Sequence, residues 1–250
     1  MQPTTDTLKI TDYYSLPTLA EIRAVFPRSD SLPTNSEELP YLDPEFTKFL
    51  YKNNVYQVYT QEFIDSLVSY LSVRINEYYT TFSSPVTILE VGAGDGRLSH
   101  FLKQKLSLLI DAKKVTIIAS DNKNWEKSGE TNKDPKDQIL NLDYKDCLKN
   151  YAKTPTIVIS CWMNVDVDWT EDFRTNEHVQ EYIMIGDLFR TAYYGKGYFL
   201  PKNSNFACRK LSQEINEKGE KVIQGLLGRF DGSPHNPTSR TEVYAFLRNK

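Results

Sequence analysis

From residue 60 onward the chain alternates between two hydrophobic patterns. Phe63, Leu67, Tyr70 and Leu71, continued by Arg74 and Ile75, recur every three to four residues, the spacing of one face of an amphipathic helix of about five turns. Thr60 stands where its hydroxyl caps the first turn. Apolar runs follow at 86–91, 115–120, 138–142, 156–160, 181–185, 221–227 and 242–247, and they predict seven strands. The first, second and fourth are continuous rather than alternating, as in strands covered on both faces. Between the first two, Leu98, Phe101, Leu102, Leu106 and Leu109 mark a crossover helix over 98–110. The resulting fold class is α/β, a doubly wound seven-strand sheet, mostly parallel. Residues 228–240 join the last two runs and are too short and too rich in Gly and Pro for a crossover helix, so that pair is predicted antiparallel. Upstream, Pro3, Pro17, Pro27, Pro33, Pro40 and Pro44 break regular structure repeatedly. They predict an irregular arm over 1–59, with a short helical piece at 17–25, packing on a core domain over 60–250.

Composition narrows the classes. A chain of 250 residues that is 40% hydrophobic and 25% charged can bury a full core, which excludes a disulfide miniprotein and a disordered chain. No stretch approaches the roughly 18 apolar residues of a membrane span, and the first thirty residues lack a basic start with an apolar middle. A cytoplasmic protein without a membrane partner is the expectation. Cys147, Cys161 and Cys208 show no CxxC spacing, so neither a disulfide framework nor a zinc site is indicated, and no metal is expected. A net charge of -3 offers no global field for phosphate backbones, which disfavours nucleic acid as a partner. Oligomeric state leaves no mark on the sequence.

The most specific segment runs from Ile88 to Leu98, where a strand passes through Glu90-Val-Gly-Ala-Gly-Asp-Gly into an amphipathic helix. Gly92, Gly94 and Gly96 remove side chains where the backbone turns and where a ligand approaches main-chain N–H groups near a helix N-terminus; Ala93 lies between the first two. A dinucleotide site requires G-x-G-x-x-G or G-x-G-x-x-A, but position 97 is Arg, which crowds the helix-to-strand contact. Glu90 would repel a diphosphate, whereas a carboxylate there pairs with a cationic ligand or orients one through water. An NAD-dependent dehydrogenase is therefore disfavoured.

In this segment the chain resembles motif I of the class I, seven-strand S-adenosylmethionine-dependent methyltransferases. The resemblance covers about residue 60 to the C-terminus, because seven strands closed by a hairpin are that family's architecture. It implies S-adenosyl-L-methionine as cofactor, S-adenosyl-L-homocysteine as product, and a small molecule or protein side chain as acceptor. It places Asp121, ending the second strand, on the cofactor ribose hydroxyls, with Asn122 beside it. Asp143 and Tyr144 fall where the adenine is held, with Asp146 as competitor; helix capping is the ordinary alternative for either Asp. Cys161 and Trp162 end the fourth strand on the edge facing the methyl group. Read by themselves, Trp162 is a core aromatic and Cys161 a small buried hydrophobe. The strand end lacks the Asn-Pro-Pro-Tyr and Pro-Cys signatures, so adenine, amide-nitrogen and cytosine acceptors are disfavoured. The competing reading is a non-catalytic binding or scaffold subunit that uses the proline-rich arm for docking.

No catalytic base is assigned. Tyr56 and Tyr59 precede the long helix and are candidates to close over the cofactor. His235 lies in the last loop and reads as a turn histidine before a general base. His100 reads as a helix residue and His178 as a loop residue. Tyr193, Tyr194, Tyr198 and Phe199, within 187–201, form a candidate aromatic lid. Residues 123–136 read as an exposed charged loop.

Overall fold

A computed structural model describes residues 14–26, 44–53, 55, 57–122, 139–164, 166–187, 191–192, 196–227 and 241–249. They fall into two compact units, one drawn from Met1–Ser66 and Ile223–Thr241, the other from Leu67–Val222 and Glu242–Lys250.

In the smaller unit, α1 (Leu19–Val25) starts in a capping box. The Thr18 hydroxyl accepts from the Glu21 N–H at 3.1 Å, and the Glu21 carboxylate accepts from the Thr18 N–H at 2.7 Å, so two otherwise orphaned donors are satisfied reciprocally. The second helix, α2 (Pro44–Lys52), begins on a proline, whose missing N–H costs nothing at that position. Ile22, Phe26, Phe46, Leu50, Val55, Val58 and Leu227 form one buried cluster. The next helix, α3 (Gln61–Phe82), has its first turn capped as its sequence predicts, the Thr60 hydroxyl accepting from the Phe63 N–H at 3.1 Å.

The larger unit is built on a seven-stranded sheet of order β3-β2-β1-β4-β5-β7-β6. Its strands are β1 (Val86–Val91), β2 (Val115–Asp121), β3 (Ile139–Asn141), β4 (Thr156–Cys161), β5 (Val179–Gly186), β6 (Phe206–Lys210) and β7 (Glu242–Arg248). The first five run parallel, with Ile88 opposite Ile117 on one side and Ile157 on the other. Strand β7 is antiparallel to both β5 and β6. This is the doubly wound, mostly parallel sheet with a reversed C-terminal strand that the hydrophobic runs predicted. The crossover helices are α4 (Arg97–Leu106), α5 (Tyr144–Tyr151) and α6 (Thr170–Thr175). One sheet face buries Leu89, Val91, Val158, Met184 and Phe173 around Tyr182, whose ring stacks on that of Phe246 across the β5–β7 pair at 4.4 Å. Such cross-strand aromatic pairs fix register. Among the described residues no helix is long and apolar enough to cross a membrane.

The predicted sixth strand is corrected. Residues 221–227 are not a strand beyond a single bridge between Ile215 and Lys221. Gly225 sits at φ +63°, where an added Cβ would lie 2.5 Å from the Thr60 Oγ1, and its carbonyl accepts from the Thr60 hydroxyl at 2.8 Å. That left-handed conformation ends any extended run. The true β6, Phe206–Lys210, is an edge strand in which only Phe206 is buried, so it carries no apolar run to detect. The antiparallel pair predicted between 221–227 and 242–247 is therefore not formed; β7 is instead antiparallel to β6 and to β5. The predicted connector, 228–240, lies outside the described residues. The crossover helix also stops at Leu106 rather than residue 110, leaving Leu108 and Leu109 exposed.

A buried polar network ties α3 to β5. Glu181 is fully buried, and its carboxylate accepts from the Arg74 Nε at 2.7 Å, the Tyr70 hydroxyl at 2.6 Å and the Tyr78 hydroxyl at 2.9 Å. Burial first, and the neighbouring carboxylate second, raise both phenols above the usual tyrosine range. Removing one partner of a buried pair leaves the other charge uncompensated. Arg74→Met should therefore lower the unfolding free energy by about 3 kcal/mol, read from urea denaturation, whereas Glu181→Gln, which keeps acceptor capacity for both phenols, should cost less.

Candidate functional site

The C-terminal ends of β1, β2 and β4 lie side by side because these strands are parallel neighbours, and open α/β sheets bind ligands at such an edge. Here β1 leaves the sheet through Gly92, Gly94 and Gly96 at φ +68°, +57° and +74°, all in the left-handed region that favours glycine. The Ala93 N–H donates to the Ser120 carbonyl at 3.0 Å and the Gly96 N–H to the Ala93 carbonyl at 2.9 Å, fixing the turn against β2.

The turn's glycines have different surroundings. A Cβ on Gly94 would meet nothing within 4 Å, so the backbone faces open space there, whereas a Cβ on Gly92 would lie 3.1 Å from the Trp169 ring. The Gly92 position is thus filled by an aromatic edge. Trp169 stacks on Tyr144 at 4.7 Å with ring planes 16° apart, and Tyr144 is pinned by its hydroxyl, which donates to the Asp172 carboxylate at 2.7 Å.

Three carboxylates surround the turn. Asp121, the buried last residue of β2, accepts from the Gly94 N–H at 2.9 Å through Oδ2. Asp95 accepts from the N–H of Arg97, the first residue of α4, at 3.1 Å; burial raises its pKa, with that backbone N–H opposing. Glu90 is buried beneath the turn, where its Oε2 accepts from the Ser99 hydroxyl. Burial pushes the Glu90 carboxyl up to about 7, the Ser99 hydroxyl opposing and Asp95 adding to the rise. A diphosphate at the start of α4 would meet the Asp95 carboxylate and an N–H already in use, in agreement with the argument against a dinucleotide.

The remaining predicted residues lie around this edge with distinct local roles. Asn122 follows β2 and is exposed. Asp143 is the N-cap of α5, its side chain accepting from the Asp146 N–H at 2.9 Å, and Tyr144 opens that helix. Cys161 ends β4 half-buried, and Trp162 follows at φ +59°, its N–H donating to the Ile185 carbonyl at 2.7 Å. A non-glycine residue held at positive φ stores strain that the surrounding structure must offset. Tyr59 is buried and stacks with Phe63 in the smaller unit. Tyr198 is buried, its hydroxyl 2.9 Å from that of Thr191, while Phe199 is exposed. His178 lies at the opposite edge, just before β5 begins, and His100 packs edge-on against Phe101 within α4. Tyr56, Tyr193, Tyr194, His235 and 123–136 lie outside the described residues.

Sequence reasoning missed two partners. Ser99 left only a faint signal, a small polar residue between the inward-facing Leu98 and Phe101 of α4. Trp169 was legible only as part of the segment after the fourth strand, on the edge expected to face the methyl group; nothing local says which glycine it covers.

No protein-family profile matches the chain, and no curated protein matches it. Among solved structures it is similar to the plantazolicin methyltransferase BpumL in complex with SAH, at 11% identity and TM-score 0.41 over 84% of this chain and 93% of that one. It is also similar to a class I S-adenosylmethionine-dependent methyltransferase of Listeria monocytogenes, at 15% identity and TM-score 0.38 over 83% and 69% of the two chains. The DszA carbon methyltransferase gives 15% identity and TM-score 0.39 over 91% and 60%. Overlaps this low leave the functional reading to the chain's own geometry. What the chain shares with them is a sheet of seven strands, mostly parallel, with a reversed β7.

Two outcomes test the site's construction. Gly92→Ala should destabilise the protein more than Gly94→Ala in parallel urea titrations. Both force an L side chain to positive φ at about 1–2 kcal/mol, but only the first displaces the indole. Because the folded pKa of Glu90 lies above its ordinary 4.5, its contribution is fully present below that value and lost as pH rises toward about 7. Unfolding free energy measured across this window should fall with a slope that Glu90→Gln flattens.

Proposed function

We propose that this chain is an S-adenosylmethionine-dependent methyltransferase acting on a small molecule or a protein side chain. The observation that carries the reading is the hydrogen bond from the Gly94 N–H to Asp121 Oδ2, at the point where the turn faces open space. A carboxylate offers about four lone-pair sites, so one fixed by a backbone N–H is also suited to receive a vicinal diol such as that of a ribose. The glycine turn would hold the amino-acid part of the cofactor along Gly92, Ala93, Gly94 and Gly96, with Glu90 beneath. Asn122, Asp143, Tyr144, Cys161 and Trp162 would border the adenine and the methyl-bearing end. The open space at Gly94 and the carboxylates of Glu90, Asp95 and Asp121 around the turn, three against the single cation Arg97, fit a positively charged nucleoside better than a diphosphate.

The bound cofactor supplies an activated methyl group on a sulfonium. The chain's own task is then to hold two reactants in line and to exclude water. Parallel register brings Asp121 and the turn to one edge, and the stacked Tyr144 and Trp169 hold the wall beside Gly92 without themselves exchanging protons.

Calorimetric titration with S-adenosylmethionine and S-adenosylhomocysteine, with NAD as control, tests the reading. Micromolar binding of the sulfur nucleosides alone is the expected result. Asp121→Ala should weaken that binding by more than about 1 kcal/mol, the scale of hydrogen bonds to a charged group. No binding of either nucleoside by the intact chain would overturn the assignment in favour of a scaffold role.

A further inference from the structure

Glu90 is a buried carboxylate that no cation neutralises among the described residues. Its side-chain partner is the Ser99 hydroxyl, and its relative exposure is 1%. The other fully or nearly buried glutamates are compensated directly: Glu181 meets Arg74 at 2.7 Å and Glu242 meets Lys210 at 2.5 Å. An unpaired carboxylate in such surroundings either keeps a proton or is ionised by a positive charge brought to it.

The groups facing it do not supply that charge. Asp95, in the turn, is itself acidic and adds to the penalty. From α4, Lys103 acts only at range, Arg97 lies over the Phe101 ring with its guanidinium carbon 5.8 Å from the centroid, and His100 packs on the same ring. Strand β2 presents Ala119 opposite Glu90 and the Asp121 carboxylate two residues on, and β4 presents Ile159. Farther along this sheet face, Arg74 of α3 is paired with Glu181. The turn is close along the chain: Gly92 comes two residues after Glu90, within about 7 Å, and Gly94 faces open space.

Resting on the methyltransferase reading above, we propose that Glu90 is the residue that distinguishes the sulfonium cofactor from its demethylated product, by coupling the ligand's positive charge to its own ionisation. The two nucleosides share their amino, carboxylate and ribose groups and differ in charge only at sulfur, which is cationic in one and neutral in the other. A cationic sulfur held between the turn and the end of β4, the strand paired with β1 at Glu90, favours the carboxylate and expels its proton, whereas the thioether does so far less. Product is therefore held relatively weakly where Glu90 is ionised, which favours exchange of spent for fresh cofactor.

The test is calorimetry on the full chain with S-adenosylmethionine and S-adenosylhomocysteine at about pH 6 and about pH 8, in two buffers of different ionisation enthalpy. The ratio of the product's Kd to the cofactor's should rise roughly five- to tenfold across this range, and cofactor binding near the lower pH should release more protons than product binding. Taking the ratio cancels titration of the amino group that both ligands carry. Glu90→Gln, which keeps an acceptor for Ser99, should bind both with a pH-independent ratio, and His100→Gln should leave the wild-type dependence intact. Identical pH dependence for the two ligands, or its persistence in Glu90→Gln, would overturn the proposal while leaving the methyltransferase reading in place. If Glu90→Gln does not fold, proton release by the wild-type chain decides alone. Failure of both nucleosides to bind at either pH would overturn the methyltransferase reading itself.

Discussion

Strand β1 is hydrogen-bonded on both sides, to β2 and to β4, and all six of its residues are buried. A strand so enclosed leaves the sheet only at its end, and the chain there must turn at once to enter α4. Three glycines in left-handed backbone make that turn possible, and a hydrogen bond from the middle one to Asp121 ties it to the neighbouring strand. The rest of the edge follows from this constraint. The α4 N-terminus, the Asp121 carboxylate and the end of β4 meet because three parallel strands end together.

The enclosure also explains the electrostatics. Glu90 is the penultimate residue of β1, so its side chain is committed to the sheet interior whatever its charge. Ser99, on the first turns of α4, is the one hydroxyl that the helix brings to it. Elsewhere the protein treats buried carboxylates differently: Glu181 is surrounded by a guanidinium and two phenols, and Glu242 by an ammonium and a phenol. Those two are neutralised by cations, whereas Glu90 has a hydroxyl partner and lies two residues before the glycine turn.

Aromatic contacts complete the edge. Trp169 packs its ring against the bare Gly92 backbone and lies flat on Tyr144. Gly92 is therefore constrained twice, by its positive φ and by the indole, while Gly94 is constrained by φ alone. The two glycines look equivalent in a G-x-G-x-G pattern but differ in their surroundings: the first admits a protein side chain, and the second faces open space.

Much of the architecture was legible because it is written in near neighbours. The continuous apolar runs of β1, β2 and β4, the Thr60 cap and the glycine turn each depend on residues a few positions apart, where periodicity and backbone preference act. The same local logic singled out Glu90 beside the glycine turn, whereas Asp121 was named from the family resemblance. Strand β6 was not legible, since an edge strand with a single buried residue has no apolar period, and 221–227 misled because its buried Ile223 and Leu227 belong to a segment broken by left-handed Gly225. Asp143 was legible as a candidate, but its capping of α5 emerged only with the helix in place. What the sequence determined by itself is the order of the elements, the turn that joins β1 to α4 and the chemical kind of its residues. What only the tertiary structure decided is which groups meet: Ser99 on Glu90, Trp169 on Gly92, Asp121 on Gly94. Those pairs are distant along the chain, and burial and register, not local preference, bring them together.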